Sequence, residues 1–315
     1  MDTCINKIRE LSLKLLEENE VKKVIGFAEG TIPMATSPVT ITRKQDVEKL
    51  VFNSTCGLNL ANYIRNQKDK IAVIAKGCDT RNIVTHIVEN QVQREKLYII
   101  GVPCNGMIDK SKIESLFEDE IIEFSEDGGK LNVKSSLKEE KLNKSDYLRK
   151  NCRLCMHKNP VIYDVLAGDL VEEQNFDNPY PDVDEIEAMN SETKWQHFED
   201  LTKNCIRCYA CRNACPICYC PTCFVDESGP QWVGKGQDKT DVNTFHFLRA
   251  FHCAGRCTDC GACVEACPMD INVRDFTRKL NKDSFEMFGW EAGLDIARRP
   301  PLDVYSPNDP DDFIK

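Results

Sequence analysis

Cysteine spacing is the feature of this chain that most directly predicts chemistry. The stretch NCIRCYACRNACPICYCPTCF, residues 204–224, contains seven of the 18 cysteines. Its first part has the pattern C-x-x-C-x-x-C-x-x-x-C-P, formed by Cys205, Cys208, Cys211, Cys215 and Pro216. The same pattern returns at Cys257, Cys260, Cys263, Cys267 and Pro268.

Two copies of this pattern indicate a pair of 4Fe-4S clusters. Three closely spaced thiolates wrap one cluster, and the fourth cysteine of each motif ligates the other cluster. The first predicted ligand set is therefore Cys205, Cys208, Cys211 and Cys267. The second set is Cys257, Cys260, Cys263 and Cys215. Zinc is the alternative, but zinc sites usually combine two C-x-x-C pairs and not a triplet with a distal fourth cysteine.

Four more cysteines lie close to these motifs, at positions Cys218, Cys220, Cys223 and Cys253. The spacing C-x-C-x-x-C matches no cluster pattern, and buried cysteine often serves as a small apolar residue. We therefore predict packing for these four, with a further cluster as the alternative. His246 and His252, in the helix-like stretch TFHFLRAFHCAG, are predicted to pack or to tune a cluster.

A separate group of cysteines lies in the first half of the chain. Cys78 follows the apolar run KIAVIA, and Cys104 follows LYIIGVP. The carboxyl ends of neighbouring parallel strands share the sheet edge at which open α/β folds bind ligands. Cys152 and Cys155 add a C-x-x-C pair. Two interpretations stay open: a third 4Fe-4S cluster, or two buried strand-end cysteines and a lone redox or zinc pair.

The elements that must position these cysteines follow from apolar periodicity. Short β-rich runs alternate with helical periods up to about residue 125, which predicts an α/β N-terminal domain with a small, mostly parallel sheet. The stretch IIEFSEDGGKLNVKSS predicts a hairpin. We expect an α/β domain over 1–170, an acidic linker over 171–195, a ferredoxin-like iron-sulfur domain with two 4Fe-4S clusters over 196–290 and an extended tail over 291–315.

Composition excludes several classes of function. The formal charge is −10, and no cluster of Lys or Arg offers a nucleic-acid surface, so nucleic acid is excluded as a partner. The charged first residues do not resemble a signal peptide, and no apolar run is long enough to span a membrane. We expect a cytoplasmic protein. In a reducing cytosol, so many thiols favour metal sites over disulfides.

Two stretches of the first domain resemble a known family. GCDTRNIVTHIVENQVQREKLYIIGVPCNG and NCRLCMHKNPVIYDVLAGD are similar to the beta subunits of coenzyme F-420 (deazaflavin) hydrogenases and formate dehydrogenases, most clearly over residues 70–170. The resemblance implies FAD and a 4Fe-4S cluster held by Cys78, Cys104, Cys152 and Cys155. It also implies a flavin near a helix start, where amide groups favour phosphate, at Lys76, Gly77, Asp79, Thr80 and Arg81.

These features together predict an iron–sulfur electron-transfer subunit of an anaerobic multi-subunit oxidoreductase of the hydrogenase, formate dehydrogenase or heterodisulfide-reductase type. Its partners would be the other subunits of the complex, and we expect no catalytic residue in this chain. The alternative is an FAD-containing catalytic subunit that exchanges hydride with coenzyme F-420 or NAD(P). A zinc-bound scaffold is the third hypothesis.

Overall fold

The computed structural model describes residues 2–305 and residue 307, and it forms two compact units. The first unit runs to Phe176, and the second begins at Asp177. Within the described residues, no helix is both long enough and apolar enough to cross a membrane.

A six-stranded sheet is the centre of the first unit. Its order is β2-β1-β4-β5-β9, with β3 also paired to β1. The strands are β1 (Val24–Glu29), β2 (Thr36–Ile41), β3 (Leu50–Val51), β4 (Ile71–Lys76), β5 (Leu97–Val102) and β9 (Val165–Leu166). Pairings β1–β4, β4–β5 and β5–β9 are parallel, whereas β2 and β3 pair antiparallel to β1. The predicted α/β class with a mostly parallel sheet is therefore confirmed.

Strand β4 shows why the sheet is buried on both faces. Ile71 and Val73 belong to one apolar cluster, and Ala72 and Ile74 belong to another, as the two-residue period of a strand requires. Helix α1 (Asp2–Glu17) packs Ile8 and its neighbours onto the Ala72 face. The other face is covered partly by Ile83 of α2 (Gly77–Val88). A strand covered on both faces reads as the continuous apolar run seen in the sequence.

The predicted hairpin is part of a three-stranded antiparallel sheet. Its strands are β6 (Ile121–Asp127), β7 (Lys130–Ser135) and β8 (Glu139–Asn143). Gly128 and Gly129 turn the chain between β6 and β7 with φ of 53° and 78°, a region that favours glycine. The unit also contains two short α-helices, α3 (Lys110–Glu114) and α4 (Lys150–Arg153).

The second unit is built from helices and loops, and none of its described residues forms a strand. Its helices are α5 (Pro181–Glu187), α6 (Ser191–Thr202), α7 (Ala210–Asn213), α8 (Lys239–His252), α9 (Ala262–Glu265) and α10 (Arg274–Phe288). The segment 171–195, expected to be an acidic linker, contains α5 and the start of α6. Of the expected tail, 291–315, residue 306 and residues 308–315 lie outside the described residues. The bounds of the four expected segments stay predictions.

Candidate metal centres

The two cysteine motifs fold into loops with the same backbone conformation. Arg207 and Asp259, each just before the second cysteine of its motif, have φ of 51° and 55°. Tyr209 and Gly261, each just after that cysteine, have φ of 62° and 74°. A non-glycine residue pays about 1 kcal/mol for this left-handed region, so the surrounding loop must hold it there. A four-residue helix follows each loop, α7 and α9.

Backbone amides in both loops point at the first cysteine sulfur of the motif. Arg207 N donates to Cys205 Sγ at 3.4 Å, and Asp259 N donates to Cys257 Sγ at 3.4 Å. Left-handed residues along a loop turn successive N–H groups toward a common concavity, an arrangement that many iron–sulfur sites use. The loops therefore suit an anionic metal–sulfur group.

The first predicted ligand set is brought together by the fold. Burial raises the pKa of Cys205, and the nearby thiols of Cys267 and Cys208 raise it further. Burial also raises the pKa of Cys211, to which Cys205 and Cys267 contribute. Cys267, from the second motif, is thus an electrostatic neighbour of the first triplet. This juxtaposition is the one that the crossed assignment predicts.

The second predicted set shows the reciprocal arrangement. Burial raises the pKa of Cys257, followed by the charges of Asp259 and Cys215. Burial also raises the pKa of Cys263 well above its usual range, and Cys215, Cys260 and Cys257 add to this rise. Thiols with raised pKa values stay protonated, whereas metal ligation requires thiolates and releases the protons. Ligation of a metal by these buried thiols would therefore release protons.

His246 lies against the first set. Its Nε2 is 3.2 Å from Cys205 Sγ, and its ring is buried. Burial, together with the charges of Arg249 and Arg207, lowers the pKa of His246 to about 4, so the ring is neutral near pH 7. In the tautomer with hydrogen on Nε2, the ring donates to the sulfur. The expectation that His246 packs or tunes a cluster stays a prediction, and this contact is compatible with both roles.

Arg249 is a site residue that sequence reasoning missed. Its side chain is 5% exposed, and Nη2 donates to Cys211 O at 3.1 Å. Burial disfavours its charge, but the thiols of Cys253, Cys215, Cys263 and Cys211 outweigh burial and raise its pKa well above the usual value. Its spacing from His246 and Cys253, three and four residues along α8, was the signal that could have identified it.

The group in the first unit lies at the carboxyl edge of the sheet. Strands β4 and β5 are parallel neighbours, and they lead directly to Cys78 and Cys104. Burial raises the pKa of Cys104 to about 11, with Cys152 as the next contributor. Burial likewise raises the pKa of Cys155 to about 12, and Cys152 and Cys104 contribute. Met107 N donates to Cys152 Sγ at 3.3 Å.

Cys78 is connected to this group through Lys76. The buried ammonium of Lys76 interacts with Asp79 most strongly, and then with the thiols of Cys78 and Cys104. The structure thus brings Cys104, Cys152 and Cys155 together. Cys78 and Cys104 share the buried ammonium of Lys76 as a charged neighbour. Ligation of a third cluster by all four stays a prediction.

The start of α2 was predicted to hold a flavin phosphate. Lys76 Nζ lies 3.0 Å from Asp79 Oδ2 and donates to Leu58 O at 2.8 Å. Asp79 also accepts from Lys76 N at 3.1 Å, so a carboxylate already caps the helix. A buried carboxylate repels phosphate and occupies the amide that would bind it.

The remaining residues of that prediction are also engaged within the protein. A Cβ at Gly77 would lie 2.3 Å from His157 O, so backbone covers this turn. Thr80 Oγ1 donates to Gly77 O and accepts from Val161 N, and Arg81 is buried. The arrangement does not fit a phosphate at this helix start, and flavin binding by these five residues stays a prediction.

Two family models match consecutive parts of this chain. Residues 68–196 match the family described as the C terminus of the Coenzyme F420 hydrogenase/dehydrogenase beta subunit. Residues 201–271 match a 4Fe-4S dicluster domain.

Two curated proteins and one solved structure are similar to this chain. The F420-dependent formate dehydrogenase subunit beta of Methanocaldococcus jannaschii is 25% identical, over 95% of this chain and 94% of that protein. The F420-dependent formate dehydrogenase 1 subunit beta of Methanococcus maripaludis is 26% identical, over 95% and 93%. A chain of the F420-reducing NiFe hydrogenase complex from Methanosarcina barkeri aligns with a TM-score of 0.38 and 17% identity, over 50% of this chain and 59% of its own length.

Proposed function

We propose that this chain, which joins a beta-subunit region of the coenzyme F420 hydrogenase/dehydrogenase type to a 4Fe-4S dicluster domain, is an electron-transfer subunit of a multi-subunit anaerobic oxidoreductase. Its partners are the subunits that carry out the substrate chemistry. The names of the two curated relatives favour a formate dehydrogenase complex over the hydrogenase and heterodisulfide-reductase types.

The observation that carries this proposal is the exchange of distal cysteines between the two motifs. Cys267 neighbours Cys205 and Cys211, while Cys215 neighbours Cys257 and Cys263. An exchange of this kind is characteristic of paired 4Fe-4S clusters, because the fourth cysteine of each motif is carried toward the other cluster.

A 4Fe-4S cluster supplies one-electron transfer at a potential set by hydrogen bonds to sulfur, burial and nearby charge. The residues of this chain control each of these quantities. The amide of Arg207 donates to Cys205 Sγ, and the His246 ring does so in the tautomer with hydrogen on Nε2. The apolar neighbours Phe245 and Val273 exclude water. Arg249 places a positive charge among thiols of both sets, which favours the more negative, reduced state.

The first test is the iron, acid-labile sulfide, zinc and flavin content of the protein purified without oxygen. We expect about twelve irons with matching sulfide, four for each of the three predicted clusters. Cys208→Ser should lower iron to about eight. Cys4→Ser is the matched control, because Cys4 belongs to no predicted set and its thiol donates to Ala167 O.

About eight irons in the unaltered protein would mean that the first unit holds no 4Fe-4S cluster. The electron-transfer role would then belong to the second unit alone. A colourless protein that contains zinc without iron or sulfide would overturn the proposal and support a scaffold.

A catalytic flavin subunit is the second candidate function, favoured by a cavity in the first unit. This cavity of about 630 Å³ lies between the β1–β2 connection and the β6–β7 hairpin and is lined by Glu29, Thr31, Asn53, Ser125 and Lys134, among others. Its volume is in the range of cofactor sites. One released FAD per chain, and reduction of coenzyme F420 or NAD(P) by the isolated chain, would establish this function.

A further inference from the structure

Two cysteines outside the predicted cluster sets lie against one cysteine that belongs to them. The sulfur atoms of Cys215, Cys218 and Cys253 are all within 4.8 Å of one another. Among residues 2–305 and 307, this is the one group of three or more His, Cys, Asp or Glu side chains whose donor atoms lie so close. Cys253 is 2% exposed.

Local structure places these thiols together from two distant segments. Directly after Pro216, a turn in which Cys218 N donates to Cys215 O at 3.1 Å brings Cys218 back toward Cys215. Cys253 caps the carboxyl end of α8, and Cys257 N donates to its carbonyl at 3.0 Å. The first residue of the second motif is therefore joined by one turn to this thiol group.

The separation of the sulfurs suits a single metal ion. In a tetrahedral zinc site with metal–sulfur bonds of about 2.3 Å, neighbouring sulfurs lie about 3.8 Å apart. The thiolates of a 4Fe-4S cluster each bind a different iron and therefore lie further apart. The backbone also differs from that of the cluster loops, since no residue from 210 to 254, all of them described, has φ in the left-handed region.

A buried cation supplies the second, independent observation. Arg249 is 5% exposed, and its Nε has no hydrogen-bond partner among the described residues. Its charge interacts more strongly with Cys253 than with any cysteine of the two predicted sets. Metal-bound thiolates at Cys253 and Cys218 would bring further negative charge to this buried guanidinium.

We propose that Cys218 and Cys253 bind a zinc ion beside the second cluster, with Cys223 as a third ligand and Cys215 as a sulfur shared with that cluster. Cys223 is half-buried against the apolar cluster that contains Val225. Its sulfur lies outside the group of three that are within 4.8 Å of one another, so binding of the ion requires this thiol to move toward them. Zinc favours a tetrahedral set of thiolates and changes no oxidation state, so the ion organises the loop and moderates the charge of the cluster.

This inference rests on the proposed function only in the assignment of Cys215 to the second cluster, and zinc and iron are measured separately. We expect one zinc per chain in anaerobically purified protein after treatment with a chelator. Cys218→Ser and Cys253→Ser should lower zinc at least fivefold while iron and sulfide stay unchanged. Cys220→Ser is the matched control in the same loop, because Cys220 is exposed.

Zinc absent from iron-loaded protein, zinc retained in Cys218→Ser, a Cys218–Cys253 disulfide in the anaerobic protein, or iron in place of zinc would each overturn the inference. Should the variants fail to fold, zinc X-ray absorption on the unaltered protein decides the question. Four sulfur ligands at about 2.3 Å support the site, and nitrogen or oxygen ligands overturn it. Loss of iron and sulfide with zinc retained would instead overturn the proposed function.

Discussion

His246 shows how one side chain sets the chemistry of a neighbouring sulfur. Its neutral ring lies 3.2 Å from Cys205 Sγ and packs edge-on against Phe245. A donor to sulfur stabilises the reduced cluster more than the oxidised one, because reduction adds negative charge to the sulfurs. His252, six residues along the same helix, is exposed, and its ring lies tilted against Phe224 instead.

We expect His246→Phe to lower the midpoint potential of the first cluster by about 40 mV. The loss of one hydrogen bond is worth about 1 kcal/mol, and a one-electron couple shifts by 59 mV per 1.4 kcal/mol. Redox titration followed by electron paramagnetic resonance measures this change.

His252→Phe should leave the potential unchanged, and His246→Gln, which keeps an N–H donor, should restore part of it. An equal shift in His246→Phe and His252→Phe would mean that the donor to Cys205 has no role.

At the scale of elements, helix α5 combines a local start signal, a proline and acidic residues in its first turn, with buried ion pairs to distant residues. Asp182 is 6% exposed and lies 3.4 Å from Arg274 Nη1 and 3.2 Å from Arg278 Nη2. Arg274 also donates two hydrogen bonds to the carboxylate of Asp259, at 2.8 and 2.7 Å. Asp259 belongs to the second cysteine loop, so α5 and α10 support the loop through a chain of charges.

Asp182→Asn should lower the free energy of unfolding of the second unit by about 3 kcal/mol, because it leaves two buried guanidinium groups short of negative charge. Urea unfolding followed by cluster absorbance provides the measurement. Glu185→Gln, on the exposed side of the same helix, is the matched control and should change little. If Asp182→Asn and Glu185→Gln unfolded at the same urea midpoint, the segment that contains α5 would be a linker without a structural role.

At the scale of the whole molecule, the two units hold separate groups of cysteines. The first unit contributes Cys78, Cys104, Cys152 and Cys155. The second unit contributes both ferredoxin-type sets together with the four surplus cysteines. A protein organised in this way should store one electron for each cluster, whereas a zinc ion stores none.

Coulometric reduction of the anaerobic protein should therefore consume about three electrons per chain, one for each 4Fe-4S cluster. Cys152→Ser should consume two, because the group in the first unit loses a ligand. Cys56→Ser is the control: Cys56 is a buried cysteine of the first unit that belongs to no predicted set. Five electrons in the unaltered protein would indicate an additional two-electron flavin.

Much of the fold and of the candidate site was accessible from sequence because the relevant signals are local. The spacing within each motif determines which thiols share a loop. Left-handed backbone occurs at the same two motif positions in both loops. The apolar runs of β4 and β5 predicted parallel strands, because only strands covered on both faces lack polar alternation. These features depend on neighbours in the chain, so the sequence alone determined them.

Tertiary structure decided the contacts between distant residues. From the sequence, Asp182 is predicted to belong to an acidic connector. In the structure it pairs with Arg274, which is 92 residues away in the chain. The sequence predicts that Cys253 is a small apolar packing residue. In the structure, α8 places it against Cys215 and Cys218. An arginine in a sequence is normally expected at the surface. In the structure Arg249 is buried and has several cysteine thiols as neighbours. In each case the environment comes from packing between elements, and the physical role of a charged or thiol group depends on that environment.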